Sequence, residues 1–146
     1  MKKIATLAGA AVGIASLLVG LATPAHADPY WNKSKKCEQK DWDGRVVPTR
    51  FGNGELGWNH FSGKHNIKKC KVVNGPLNGK PDKVSGARLE YWGYAINGGR
   101  QVKIVVVVQY AQRTADRRYN AGTGQKIGVI TAYCQGMNKC PNWVNE

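Results

Sequence analysis

The sequence predicts an α+β domain: a helical N-terminal half packed on a three- to four-stranded antiparallel β-sheet, stabilised by disulfides. Helical spacing comes early, where Trp58, Phe61 and His65 recur at i, i+3 and i+7. Strand signals come later, in the β-branched run at residues 104–108 and in the Asn-Gly-Gly hairpin turn at 97–99. Helices followed by a run of strands are typical of the α+β class.

The first residues have the pattern of a signal peptide. Met1-Lys2-Lys3 precedes an uncharged run over residues 4–23, and Ala25-His26-Ala27 matches a small-residue cleavage site. The run is also long enough to remain as an uncleaved membrane anchor, but its glycines and alanines favour cleavage. We therefore predict a signal peptide at residues 1–27 and a secreted, extracellular mature chain with no membrane span.

The mature chain is strongly basic. The full sequence has 22 lysines and arginines against nine aspartates and glutamates. Removing Lys2 and Lys3 with the signal peptide leaves 20 basic residues and a net charge of +11. Such a surplus favours association with nucleic acid, an anionic cell wall or lipid headgroups, and composition does not choose among these partners.

The mature length suits a single domain at residues 28–146. We expect, in chain order, an irregular arm at 28–50, a helical and loop region at 51–85, a β-meander at 86–134 and a C-terminal tail at 135–146.

Two details of this organisation depend on local pattern. Residues 68–85 are rich in lysine, glycine and proline, which predicts a basic turn followed by a loop. Residues 102–110 suit a central strand covered on both faces. Strict alternation along the last strand, residues 127–134, would place one set of side chains on the same face: Ile127, Val129, Thr131 and Tyr133.

The mature chain keeps four cysteines, and an even number outside the cell indicates disulfides. Three pairings of Cys37, Cys70, Cys134 and Cys140 are possible. We favour Cys134–Cys140, a small loop near the C-terminus, with Cys37–Cys70 tying the arm to the segment after the histidines. Because the sequence has no CxxC pair and no histidine at zinc-finger spacing, we expect no metal site and no cofactor.

Both histidines of the mature chain, His60 and His65, lie within residues 57–67. Histidine transfers protons near neutral pH. Cleavage of RNA by its ribose 2′-oxygen needs a base, an acid and a cation for the developing phosphorane, which two histidines and one lysine or arginine supply without a metal. The alternative is structural: His65 is a hydrogen-bonded core residue beside Trp58 and Phe61, and His60 lies on the surface.

The spacing of the two histidines sets a condition on the catalytic interpretation. Five positions along an unbroken helix rotate a side chain by about 140° around the axis. Gly63 lies between the histidines and weakens a helix by about 1 kcal/mol relative to alanine. Both side chains can serve one site only if the helix breaks near Gly63.

The string Gly57-Trp58-x-His60-Phe61-x-x-Lys64-His65, followed by strands that end in Val129-Ile130-Thr131-Ala132-Tyr133, resembles the BECR-type ribonuclease toxins. That superfamily groups barnase, EndoU, colicin nuclease and RelE-like domains. The resemblance implies helices ahead of an antiparallel sheet and an active site on the sheet face. It also implies that His60 and His65 are the acid–base pair, and that Thr131 and Tyr133 hold a phosphate or the 2′-hydroxyl.

The chain also departs from the pattern of that family. It has a signal peptide and stands alone, whereas many relatives are the tips of large toxins. It has cysteines, and Cys134 follows Tyr133 where relatives commonly have proline. These departures concern delivery and substrate more than the fold.

Several basic and aromatic residues are further candidates for the site. Lys103, the one charge within its strand, lines a site on the sheet or protects a sheet edge. Two groups would bind phosphates or would be solvated surface charges: Lys64 and Lys68 beside the histidines, and Arg113, Arg117 and Arg118 in a later loop. Tyr91, Trp92 and Tyr94 would stack bases or form core.

The sequence therefore predicts a secreted, metal-independent endoribonuclease that acts as an antibacterial toxin. In it, His60 and His65 are base and acid, and Lys103 or Arg113 stabilises the phosphorane. We expect a monomer with RNA as its substrate and an acidic immunity or inhibitor protein as its partner. The alternative is a non-enzymatic cationic protein that binds anionic cell wall, membrane or nucleic acid.

Overall fold

The computed structural model describes residues 29–146, and the predicted signal peptide at 1–27 lies outside them. The described residues form six strands: β1 (Asn32–Lys40), β2 (Val46–Gly52), β3 (Lys83–Ser85), β4 (Arg88–Asn97), β5 (Arg100–Gln109) and β6 (Gly128–Cys134). Helices α1 (Trp58–Lys64) and α2 (Cys70–Leu77) lie between β2 and β3, and a 3-10 helix (Asn142–Asn145) lies near the C-terminus. The described chain is mostly β, so the predicted α+β class with a helical N-terminal half is wrong.

The larger sheet has four antiparallel strands in the order β3-β4-β5-β6. A two-residue turn, Gly98-Gly99, joins β4 to β5 and pairs Asn97 with Arg100, as the hairpin signal predicts. β5 has a strand on each side, so its position at the centre of the sheet is confirmed. Its valines are almost fully buried on both faces, with Val105 1% exposed and Val106 0% exposed.

The predicted irregular arm at residues 28–50 is wrong, because β1 and β2 pair there as an antiparallel hairpin. β1 is exposed along most of its length, and Cys37 is its one buried residue. It therefore has no apolar alternation in its sequence. β2 is buried from Val47 to Arg50 and for that reason has no alternation either.

The region at 51–85 has less helix around the histidines and more helix after them than we predicted. α1 has seven residues. The basic turn and loop predicted at 68–85 is wrong, because α2 lies there. Gly75 and Pro76 have the character of helix breakers, but Pro76 lies in the last turn of α2 and packs into the core together with Leu77.

The hydrophobic core lies between the two helices and one face of the four-stranded sheet. Phe61 of α1 and Val73 of α2 are fully buried against it. Tyr91 of β4 and Val106 of β5 point into the same core from the sheet. Val144, in the tail after β6, also packs there.

Along β4, β5 and β6, the residues between the core-facing ones form the opposite face of the sheet, which we call the polar face. It consists of Arg88, Glu90, Trp92 and Tyr94 on β4, Lys103, Val105 and Val107 on β5, and Thr131 and Tyr133 on β6. Cross-strand pairing arranges Trp92, Val105 and Tyr133 in one row across the sheet.

An irregularity in β6 changes the predicted face of one residue. Val107 pairs with Thr131, but the next residue, Val108, pairs with Val129, so Ile130 is an extra residue in the ladder. Val129 therefore packs in the core, and the prediction that it shares a face with Thr131 and Tyr133 is wrong. Those two residues do share the polar face.

Both favoured disulfides, Cys37–Cys70 and Cys134–Cys140, are present. The first joins β1 to the start of α2, and the second closes a small loop directly after β6. Among residues 29–146, no helix is long and apolar enough to cross a membrane.

Candidate active site

The start of α1 is fixed between two strands by Gly57. Its backbone N–H donates a 2.9 Å hydrogen bond to the carbonyl oxygen of Ile130 in β6. Its φ is +83°, and a Cβ added there would lie 2.7 Å from the carbonyl oxygen of Arg50 in β2. A side chain would clash at this point, so the close approach needs glycine. α1 is thereby held at the edge strand β6.

His60 lies on α1 with its ring held by the backbone. Its Nδ1 is 3.0 Å from the carbonyl oxygen of Gly54. A carbonyl oxygen only accepts, so Nδ1 carries the proton in this bond. The neutral ring then has its lone pair on Nε2, which is the atom that can accept a proton.

His65 lies outside the helix. α1 ends at Lys64, and Asn66 has φ of +58°, so the chain turns sharply after His65. The break falls within two residues of Gly63, which meets the condition set by the spacing of the histidines. The His60 and His65 ring centroids are 5.5 Å apart in an edge-to-face arrangement.

The loop closed by Cys134–Cys140 holds His65. The His65 Nδ1 is 2.8 Å from the carbonyl oxygen of Asn138, which fixes the same tautomer as in His60. The Cys140 N–H donates a 2.9 Å bond to the His65 carbonyl oxygen. Lys139 Nζ donates to the carbonyl oxygen of Gly63, also at 2.9 Å. Three contacts therefore join this loop to the end of α1.

Tyr133 connects the histidines with the polar face. Its ring centroid lies 5.9 Å from that of His65, and its side chain is half-buried. Thr131 lies two positions away on the same face. The Thr131 Oγ1 is inaccessible to solvent and has no hydrogen-bond partner among the described residues. The site thus brings together His60, His65 and Tyr133, and the buried Thr131 hydroxyl lies two positions from Tyr133 on the same strand.

Lys103 lies on the polar face of the central strand, so the edge-protecting interpretation is wrong. Its Nζ lies 3.5 Å from the centroid of the Trp92 ring, a cation–π contact that restricts the flexible side chain. The Trp92 Nε1–H donates a 2.7 Å bond to Glu90 Oε1. Glu90 and Trp92 together therefore hold the lysine ammonium over the middle of the face.

The other predicted binding residues lie on three separate segments, and no hydrogen bond within residues 29–146 joins their side chains to the histidine rings. Lys64 ends α1 and is exposed, and Lys68 is exposed in the turn before α2. Arg113 and Arg117 lie in the loop between β5 and β6. The neighbouring Arg118 forms a 2.7 Å ion pair with Glu55, which joins this loop to the segment ahead of His60.

The sequence reasoning missed some parts of the site. Asn138 acts through its backbone carbonyl, so its residue type gave no indication of a role. The short spacing between Cys134 and Cys140 was the one feature of the sequence that indicated a fixed loop there. Glu90 could have been identified because it lies two positions before Trp92, which places both side chains on the same face of a strand. A groove of about 270 Å³ at one end of the polar face was also missed, and its lining includes Glu55, Arg88, Gln109, Asp116 and Tyr119.

No group of three or more metal-ligating side chains is placed to hold a metal ion within residues 29–146. No protein-family model matches this chain, and no curated protein sequence matches it either. The chemistry of the site is therefore inferred from its own side chains.

Proposed function

We propose that this protein is a metal-independent endoribonuclease in which His60 and His65 transfer the protons. The observation that carries the proposal is the arrangement of the two imidazoles. The rings lie 5.5 Å apart, and each is bound through Nδ1 to a backbone carbonyl. Both Nε2 atoms are thereby left available for proton transfer, which supports a base and an acid in one site.

The proposed reaction is a transesterification within the RNA. One imidazole accepts the proton of a ribose 2′-hydroxyl, and the 2′-oxygen attacks the adjacent phosphorus. The other histidine, as imidazolium, donates its proton to the departing 5′-oxygen. The products are a 2′,3′-cyclic phosphate and a free 5′-hydroxyl, and no co-reactant is needed.

The charge that develops on the phosphorane needs a nearby cation. Lys103 is the proposed cation, and its flexible side chain would leave Trp92, which lies two strands from Tyr133, to reach a phosphorane beside the histidines. Tyr133, beside His65, would position the phosphate or the 2′-hydroxyl. Thr131 lies on the same face, but its oxygen has no access to solvent, so we assign it no contact with the phosphate.

The substrate and setting belong to the same proposal. A net charge of +11 on the mature chain favours a polyanion such as RNA. The two disulfides indicate an oxidising compartment and support a secreted protein. We propose an antibacterial toxin of the BECR type, a producer of which would need an acidic inhibitor protein to cover the basic site.

Single histidine variants test the proposal. We expect His60→Ala and His65→Ala each to lower the rate of RNA cleavage about 10²- to 10⁴-fold, the usual contribution of a general acid or base. The neighbouring exposed Asn59→Ala is the matched control and should keep full activity. The wild-type rate should follow a bell-shaped pH profile, and each variant should lose one limb of it.

A modified substrate tests the chemistry itself. An oligonucleotide with one 2′-deoxyribose at an otherwise cleaved position should resist cleavage there, because the attacking oxygen is missing. Cleavage at that position would contradict the proposed step. RNA binding that depends on salt but leaves RNA intact would instead favour the cationic binder.

A further inference from the structure

Of the three aromatic side chains of β4, Trp92 and Tyr94 lie on the polar face and Tyr91 lies on the core face. Tyr91 is fully buried in the core. Tyr94 is 55% exposed, and Ile96, next on the same side of the strand, is 70% exposed. Two neighbouring large side chains at these exposures make this end of β4 a candidate for a binding surface.

Tyr94 is directly opposite Lys103 in the β4–β5 ladder. The Lys103 ammonium lies over Trp92, so it stands beside Tyr94 on the same face. An exposed aromatic ring next to a held cation suits a nucleotide, which has a flat base and a negative phosphate.

The charges further along the polar face also suit a polyanion. Lys83 on the edge strand β3 pairs with Glu90, and Arg88 begins β4 six positions before Tyr94, so both add positive charge to the same face. Glu90 is the one acidic residue of the polar face, and its Oε1 accepts the Trp92 indole N–H. The face is therefore basic as well as aromatic.

We propose that single-stranded RNA crosses the polar face from the histidine pair over Lys103, and that one unpaired base stacks on Tyr94. This inference rests on the proposed function and names its substrate class. Neighbouring strands lie about 4.8 Å apart, so β6 and β4 are separated by about 10 Å. Bases in an RNA duplex are already stacked and do not offer a free face, which favours a single strand.

Binding measurements on a non-cleaving background test this inference. The parent is the His60→Ala/His65→Ala protein, with a fluorescent single-stranded oligoribonucleotide and a duplex of the same sequence as probes. Because stacking contributes about 1–3 kcal/mol per base, Tyr94→Ala should weaken single-strand binding about 5- to 150-fold. Tyr94→Phe should retain the affinity, since it keeps the ring.

A matched control separates stacking from a general loss of aromatic surface. Tyr30 is 82% exposed and lies outside the four-stranded sheet, so Tyr30→Ala should bind as the parent does. Lys103→Ala should reduce the slope of log affinity against log salt by about 0.7, the effect of one phosphate contact to a single strand. Thermal melting of each variant confirms folding.

Three results would overturn the inference: unchanged single-strand affinity in Tyr94→Ala, equal affinity for the duplex, or no RNA binding by the parent. If the last occurs, a protein or lipid occupant of the face is favoured instead. If the wild-type protein does not cleave RNA but single-strand binding depends on Tyr94, the proposed catalysis fails and this inference stands. If the wild type cleaves RNA and Tyr94→Ala has no effect on binding, the proposed catalysis stands and this inference fails.

Discussion

The Nδ1 of His65 donates a 2.8 Å hydrogen bond to the carbonyl oxygen of Asn138, a residue 73 positions further along the chain. Asn138 lies inside the loop that the Cys134–Cys140 disulfide closes. One short covalent loop therefore sets both the tautomer and the orientation of a proposed catalytic ring.

Opening this loop should impair catalysis more than binding. In Cys134→Ala/Cys140→Ala, Asn138 is no longer held against His65, and a misplacement of about 1 Å can cost a factor of about 10² in rate. We expect kcat/KM for RNA cleavage to fall about 10²-fold while the affinity for single-stranded RNA stays the same. Equal activity in the wild type and this variant would show that the loop does not position His65.

The other disulfide is the control, because it joins β1 to the start of α2 and does not close the loop whose Asn138 carbonyl binds the His65 ring. Cys37→Ala/Cys70→Ala removes a disulfide whose cysteines are 33 positions apart, whereas Cys134 and Cys140 are 6 positions apart. The chain-entropy relation gives a loss of about 4 kcal/mol for it and about 2 kcal/mol for the smaller loop. We expect this control to lose more unfolding free energy than Cys134→Ala/Cys140→Ala. Its folded fraction should cleave RNA with the wild-type rate constant.

Gly57 should be intolerant of any side chain. Its φ of +83° opposes Gly57→Ala, and so does the Arg50 carbonyl oxygen, which would lie 2.7 Å from the added Cβ. We expect a loss of about 1–3 kcal/mol in the free energy of unfolding and reduced cleavage, because α1 and His60 must move. Urea unfolding measures the first effect and single-turnover kinetics the second.

Gly63→Ala is the matched control on the same helix. A Cβ added at Gly63 meets nothing within 4 Å. The substitution should therefore raise the unfolding free energy by about 0.5–1 kcal/mol through helix propensity. A loss of stability in Gly63→Ala as large as in Gly57→Ala would contradict this explanation.

The buried carboxylate of Asp41 should make stability depend on pH. Asp41 is 4% exposed and accepts hydrogen bonds from the Tyr91 hydroxyl at 2.7 Å and the Arg45 guanidinium at 2.9 Å. Burial alone would raise the pKa of Asp41, but these hydrogen bonds outweigh it and lower the pKa. The ionised Asp41 carboxylate therefore stabilises the fold fully above its unfolded-state pKa of about 3.9. This stabilisation is lost as the pH falls through the lower folded-state pKa.

Asp41→Asn tests this dependence. At pH 7 the variant should be about 1–3 kcal/mol less stable than the wild type, because an amide group mismatches one of the donors. The difference should shrink as the pH falls below about 3.9, because the carboxylate of the unfolded wild type takes up a proton before that of the folded wild type. Urea unfolding at pH 7 and at pH 3 measures it, and a difference that is constant or grows on acidification would contradict the assignment.

Local signals in the sequence were sufficient for β4, β5 and the turn between them. Gly98-Gly99 specifies a hairpin, and the valines after it need burial on both faces. β1 had no such signal, because an exposed edge strand is rich in lysine and is held by pairing with β2. Its existence depends on a partner strand and not on its own pattern.

The candidate site was predictable in composition but not in geometry. The histidines, Lys103 and Tyr133 have residue types suited to RNA cleavage. The contact of Lys103 with Trp92 depends on the register between β4 and β5. The orientation of the His65 ring depends on its hydrogen bond to the Asn138 carbonyl oxygen. Both relationships are set by residues distant in sequence, which local periodicity does not report.

The most direct measurement is incubation of purified residues 28–146 with total RNA in excess EDTA, beside the His60→Ala/His65→Ala variant. We expect the wild type to cleave the RNA to fragments with 2′,3′-cyclic phosphate ends and the folded variant to leave the RNA intact. Intact RNA with both folded proteins, or equal cleavage by both, would contradict a ribonuclease centre at His60 and His65.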